Sequence, residues 1–291
     1  MKGNSMASIT IDRVTKRYGE VCAVDDLSFS LQAGSITGFV GANGAGKSTT
    51  LRILLGVTRP TSGTALIGGR RYAELPSPAR VVGALVDPDV FHPRRRGRDA
   101  LRVLAAASSI PDRRVDEVLE LVGLSEAADR RVNGYSMGMR QRLGLAAALL
   151  GDPPTVVLDE PANGLDPMGV RWLRTLLRDL ADEGRTILVS SHQLAELSQT
   201  VDDVVVIDRG RLIAEGPMRN LISEGAATSL EDLFLDLVQK GQSCCVRTSP
   251  PSTSSSAPSA SPHFYRSWEP SSQSPSGSAA SSSKRQVTRS T

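Results

Sequence analysis

Gly41-Ala42-Asn43-Gly44-Ala45-Gly46-Lys47-Ser48 combines residue types and spacing suited to holding a chain of phosphates. Glycines at 41, 44 and 46 let the backbone curl until several N–H groups converge on phosphate oxygens, a curl that side chains would obstruct. An apolar run, Ile36 to Val40, leads into this loop, and Leu51, Leu54 and Leu55 follow it at helical spacing. The loop therefore joins a strand to a helix whose positive end adds to the attraction for anions. In a G-x-x-x-x-G-K-[ST] loop of this kind, Lys47 contacts the β- and γ-phosphates and the Ser48 hydroxyl ligates Mg²⁺.

A second group of chemical residues lies far along the chain. Thr155-Val-Val-Leu158 ends in Asp159-Glu160, which sets two acids at the carboxyl end of a buried strand, where α/β sheets present their ligands. Together with the phosphate loop they divide the work. Asp159 holds the hydrated metal, and Glu160 polarises the attacking water.

Strands and helices must bring these segments together. Ser8-Ile-Thr-Ile-Asp12 and Leu27-Ser-Phe-Ser-Leu31 alternate polar and apolar residues, as half-buried antiparallel strands do, and are expected in a small sheet. Thr155 to Leu158, Thr186 to Ser190 and Val204 to Ile207 read as buried strands separated by helices. The first of those helices carries Val170, Leu173, Leu176, Leu177 and Leu180 on one stripe before Gly184. Residues 88 to 150 read as a helical insertion, with Val115, Val118, Leu119 and Val122 on one face, Asp112 as N-cap and Gly123 just past the end. Val204 to Ile213 reads as a hairpin around Gly210. The expected fold class is α/β: a P-loop NTPase parallel-sheet core with a small antiparallel β subdomain and a helical subdomain.

Composition removes other function classes. The formal charge is +3, but residues 242–291 hold five basic residues and one acidic residue, so residues 1–241 carry about −1. A body so close to neutral lacks the basic footprint of a nucleic-acid binder. Three cysteines, Cys22, Cys244 and Cys245, form no disulfide framework and suit a reducing compartment. No secretory signal or spanning helix is legible, so work at a membrane requires another chain to cross it. Domain organisation is expected as residues 1–241 and a tail, 242–291, whose 18 Ser and 6 Pro leave too little apolar surface to offset chain entropy.

From Ser8 to Val238 the chain resembles the nucleotide-binding subunit of an ABC transporter. Beyond the phosphate loop and acid pair, the resemblance rests on Tyr135-Ser136-Met137-Gly138-Met139-Arg140-Gln141-Arg142, similar to the family's Leu-Ser-Gly-Gly-Gln signature and departing from it at Tyr135, Met137 and Met139. Gly164-Leu165-Asp166-Pro167 matches the family's D-loop, and Ser190-Ser191-His192 its switch histidine.

The resemblance implies a site for ATP and Mg²⁺. Tyr18 would stack on adenine; Gly41, Ala42, Asn43, Gly44, Ala45, Gly46, Lys47, Ser48 and Thr49 would cradle the phosphates. Ser48, Asp159 and Asp87, the last aligned with the family's usual Gln, would serve the metal; Glu160, His192 and Lys47 would be catalytic. Ser136 and Gly138 would close on ATP bound to the opposite protomer, with Asp166 coupling the two, so a homodimer is implied. Arg140 and Arg142 would support their helix. The implied setting is an exporter, on the cytoplasmic face of the cell membrane, with a separate membrane-spanning permease subunit. The Arg-rich run Phe91 to Arg98 would face that partner, docking on a short cytoplasmic segment or on anionic lipid. A soluble ABC-type ATPase acting on nucleic acid or ribosomes is the alternative. It would require a long coiled coil or a second phosphate loop, and the sequence has neither.

Overall fold

The computed structural model describes residues 8–87, 90–225 and 227–245. Strands β1 (Ile9–Tyr18) and β2 (Val21–Leu31) pair antiparallel, and β3 (Ile36–Val40) then enters the main sheet. After α1 (Lys47–Leu54), β4 (Ser62–Ile67) returns to pair with β1, giving a three-stranded sheet in the order β2-β1-β4. The short α2 (Pro78–Val81) leads to β5 (Val82–Leu85), and then come α3 (Gly97–Ala107), α4 (Arg113–Leu121) and α5 (Met137–Leu149). The chain continues through β6 (Thr155–Asp159), α6 (Pro167–Asp182), β7 (Thr186–Ser191), α7 (Leu194–Leu197), β8 (Asp203–Asp208), β9 (Arg211–Pro217), α8 (Met218–Glu224) and α9 (Leu230–Cys245).

The main sheet runs β5-β6-β7-β3-β8-β9, parallel except for β9. Side chains alternate across it because successive strand residues point to opposite faces. Ile36, Val40, Val156, Leu158, Ile187 and Val189 join the cluster beneath α5 and α6. Phe39, Val157 and Leu188 join the other cluster with Leu51 and Leu54 of α1 and the inward residues of the small sheet. Covered on both faces, β3, β6 and β7 are buried throughout, which accounts for their unbroken apolar runs.

Most local signals act as expected. Gly56, Gly123 and Gly184 follow helices with φ of +69°, +69° and +88°. Arg209 and Gly210 both have positive φ and form the two-residue turn between β8 and β9. Asp112 departs from expectation: it flanks α4 without capping it, and its carboxylate instead accepts from the Arg102 guanidinium at 3.1–3.3 Å. The expected boundary at residue 242 falls within α9, which extends to Cys245. The remainder of the expected tail, 246–291, lies outside the described residues. Among the described residues no helix is long and apolar enough to cross a membrane.

The helical segment grips the sheet through α5 on β5, an approach that requires small residues. A β-carbon on Gly83 would run into the Ala148 carbonyl, which is backbone and cannot rotate away. Gly83→Ala should therefore destabilise the fold by about 3 kcal/mol, an overpacking cost, read as a lowered urea midpoint. An unchanged midpoint would show that this contact yields easily.

Candidate active site

Gly46 precedes α1 with φ +104°, and a β-carbon there would sit 2.5 Å from the Ala23 carbonyl oxygen. The loop thus lies against the start of β2, and only glycine permits it. Lys47 opens the helix with its side chain almost wholly buried, at 6 % exposure. Its Nζ donates to the carbonyls of Gly41 at 2.6 Å and Ala42 at 3.3 Å, and lies 3.9 Å from Glu160 Oε1. Burial lowers the lysine's pKa from its usual 10.5, and the nearby charges of Glu160 and Asp159 offset only part of that.

The acids stand at the end of β6, one strand away from the loop-bearing β3 with β7 between them. Asp159 is buried and accepts from Ser190 Oγ at 2.5 Å. Glu160 adopts φ +51°, and its N–H donates to both Ser190 O (3.2 Å) and Ser190 Oγ (3.0 Å). Its Oε2 meets His192 Nδ1 at 2.7 Å. Loops from three adjacent strands therefore place Lys47, Glu160 and His192 in one chain of contacts. Asn43, Gly44, Gly46, Lys47, Ser48, Thr49 and Glu160, with Ala23 and Ala42, line a cleft of ≈ 230 Å³. Its lining is the glycine-rich loop and the start of α1, whose backbone N–H groups suit phosphate oxygens.

The donor set fits Mg²⁺. The Ser48 hydroxyl lines the cleft and the Asp159 carboxylate ends β6, two hard oxygen donors of the kind Mg²⁺ takes. Mg²⁺ favours such a sparse protein set, completed by phosphate oxygens and water.

Other expected residues lie apart. Tyr18 ends β1 half exposed, with Lys16 Nζ 4.8 Å from its ring centroid. Asp87 follows β5, whose Leu85 lies opposite Leu158 of β6, and it lines a hollow of ≈ 350 Å³ with Phe91, Arg95, Val103 and Leu104. Ser136 caps α5, accepting from Met139 N at 3.2 Å, and Asp166 caps α6, accepting from Gly169 N at 2.8 Å. Gly138 sits against Gly164, and none of these residues lines the cleft of its own chain. Tyr135 is buried, its hydroxyl donating to Ala127 O at 2.7 Å, and burial pushes its pKa up. Arg142 lies 4.3 Å from the Trp172 ring centroid and donates to Val122 O, so it supports its helix as expected.

Two residues inside the quoted motifs, Ser190 and Gln141, take roles that the motifs did not assign. Ser190 bonds both acids, and Gln141 donates its Nε2–H to the Glu160 carbonyl at 3.3 Å. The available signal for Gln141 was its burial within the polar Arg140-Gln141-Arg142 run of α5.

A two-sided parallel sheet that gathers a phosphate loop, an acid pair and a histidine at the ends of adjacent strands defines a P-loop nucleotide hydrolase. Residues 24–163 match the profile of the ABC transporter family. The bacitracin transport ATP-binding protein BcrA of Bacillus licheniformis is 43% identical over 211 residues, covering 72% of this chain and 69% of that protein. The lantibiotic transport ATP-binding protein SrtF of Streptococcus pyogenes is 32% identical, covering 78% and 95%. A solved ATP-binding subunit of an ABC transporter, 26% identical, superposes with a TM-score of 0.72 over 79% of this chain and 99% of that one. A dimeric ATP-binding cassette bound to ADP and phosphate shares the fold, with 23% identity and a TM-score of 0.66 over 72% of this chain and 99% of that one. The chain belongs to the ABC transporter family and is an ATP-binding subunit that hydrolyses ATP.

The buried lysine carries a test of this electrostatic arrangement. The unfolded chain holds the Lys47 proton more tightly, so the penalty is complete below the lowered pKa and fades as pH rises towards 10.5. At pH 7 Lys47→Met should therefore melt no lower than the parent protein while losing nucleotide binding, read by thermal unfolding and nucleotide titration. A melting point several degrees lower would contradict this account.

Proposed function

We propose that two copies of this chain hydrolyse Mg²⁺-ATP at the cytoplasmic face of a membrane and drive export through a separate membrane-spanning partner. The observation that carries the reading is the contact chain Lys47–Glu160–His192 beside a cleft lined by the phosphate loop. Lys47 rests on the loop carbonyls, from which it turns to the β- and γ-phosphates of ATP. Mg²⁺, held by Ser48 and through water by Asp159, would screen phosphate charge.

Glu160 accepts the proton of the attacking water. His192 orients that carboxylate through Nδ1, and the backbone N–H of His192 approaches the same oxygen at 3.4 Å. Tyr18 keeps one ring face beside Lys16 and offers the other to adenine.

The second copy supplies what the cleft lacks. Ser136 is exposed at the start of a 13-residue helix with no acid in its first turn, a terminus that favours an anion. Asp166 stands exposed at the neighbouring helix start, suited to meeting the other protomer. A membrane partner is supported by the hollow beside Asp87, where Val90, Val103 and Leu104 remain exposed. Arg94, Arg95 and Arg96 lie exposed nearby, and among the described residues none of them is seen in an ion pair. Apolar exposure flanked by arginines favours a protein segment over lipid. Relatives named for bacitracin and lantibiotic transport favour peptide antibiotics as cargo and resistance to them as the outcome.

Glu160→Gln should retain ATP binding and accumulate as an ATP-bound dimer by sedimentation, while turnover falls at least ~100-fold. Turnover near that of the parent would remove Glu160 from the role of base.

A further inference from the structure

The carboxyl side of Glu160 is held from an unexpected direction. Its φ of +51° is rare for a residue with a β-carbon, and such a conformation persists only when its surroundings over-determine it. Ser190 takes the Glu160 N–H, while the Glu160 carbonyl accepts from Asn163 N at 3.2 Å and from Gln141 Nε2 at 3.3 Å. Asn163 belongs to the same turn. Gln141 comes from α5, is 1 % exposed, and lies among Leu143, Gly144 and Leu145.

Gln141 also has a defined neighbour on its own helix. Gly138 is three residues earlier, hence on the same face, and a β-carbon there would stand 3.1 Å from Gly164 O. One stripe of α5 thus touches both ends of the Glu160–Gly164 turn. The beginning of the same helix, at Ser136, is exposed.

We propose that Gln141 is a positioning residue for Glu160, holding the strained backbone of the base and linking it to the α5 terminus that meets the partner's nucleotide. This rests on the reading of Glu160 as the base. A phosphate docking at the start of α5 shifts the helix, and Gln141 passes that shift to the Glu160 carbonyl. Each active site thereby senses the occupancy of the other through one buried hydrogen bond.

Gln141→Leu keeps the volume and removes the donor. Steady-state ATP hydrolysis should show kcat reduced roughly 10-fold, the scale of a lost buried hydrogen bond, with KM for ATP within about twofold and an unchanged unfolding midpoint. Gln141→Glu supplies a second reading, because a buried carboxyl titrates high and donates only when protonated. Its activity relative to the parent protein should be low at pH 8 and recover towards pH 6. Parent-like kcat in folded Gln141→Leu, a loss carried by KM, or a flat activity ratio for Gln141→Glu would each overturn the proposal. Should Gln141→Leu fail to fold, the pH series decides alone. Glu160→Gln separates the two ideas: if it loses turnover while the Gln141 variants do not, the base stands and only the positioning role falls.

Discussion

A charged ammonium removed from water must be surrounded by oxygen, and Lys47 is such a group at 6 % exposure. Two loop carbonyls receive it directly, and the carboxylates of Glu160 and Asp159 supply the compensating charge. Those carboxylates can be near only because β7 alone separates β6 from β3. The same strand provides Ser190, which bonds both acids, and then His192. Strand order is therefore the means by which one buried cation acquires its counter-charges. Nucleotide enters as a rival for that cation, since phosphate oxygens offer Lys47 stronger acceptors than neutral carbonyls do.

The cleft and the surface around α5 make complementary statements. The cleft is lined by the phosphate loop and Glu160, while the starts of α5 and α6 are capped, exposed and no part of that lining. A helix terminus capped by Ser136 still presents free N–H groups, which an incoming phosphate can use. In the proposed dimer a second copy's nucleotide would meet these residues, which lie outside the cleft of their own chain. The ≈ 350 Å³ hollow on the helical side gives the molecule a further surface with exposed apolar groups. It is lined by residues of β5, α3 and α5 and by the loop that follows β5.

Much of this was legible because it depends on short-range physics. The phosphate loop is contiguous, so its glycines and Lys47 declare themselves, and the buried strands show as apolar runs because helices or sheet cover both faces. Strands β4 and β5 were not anticipated. β4 is half polar and owes its existence to pairing with β1, and β5 has four residues including Gly83, whose role is close approach to α5. Asp112 reads as a cap, yet Arg102 from the preceding helix claims its carboxylate. Asp87, expected to serve the metal, also lines a hollow with Phe91 and Arg95 that no local pattern announces. Gln141 and Ser190 act through bonds spanning 19 and 31 residues, and no local pattern encodes such a pairing.

The turn from Glu160 to Gly164 deserves its place at the centre of the cycle on energetic grounds. It begins and ends in positive φ, +51° and +76°, and connects the base to the Asp166 cap of α6. Strand β7 holds it through Ser190 and helix α5 through Gln141 and Gly138, so it is anchored to two bodies. A ligand shifts such an equilibrium only by its differential affinity for the two arrangements. Under the proposed function, ATP in this chain's cleft would draw Lys47 from its carbonyl partners, and ATP held by the second copy would engage the terminus of α5. In that reading ADP lacks the γ-phosphate that the α5 terminus would meet, so hydrolysis would weaken the closed arrangement.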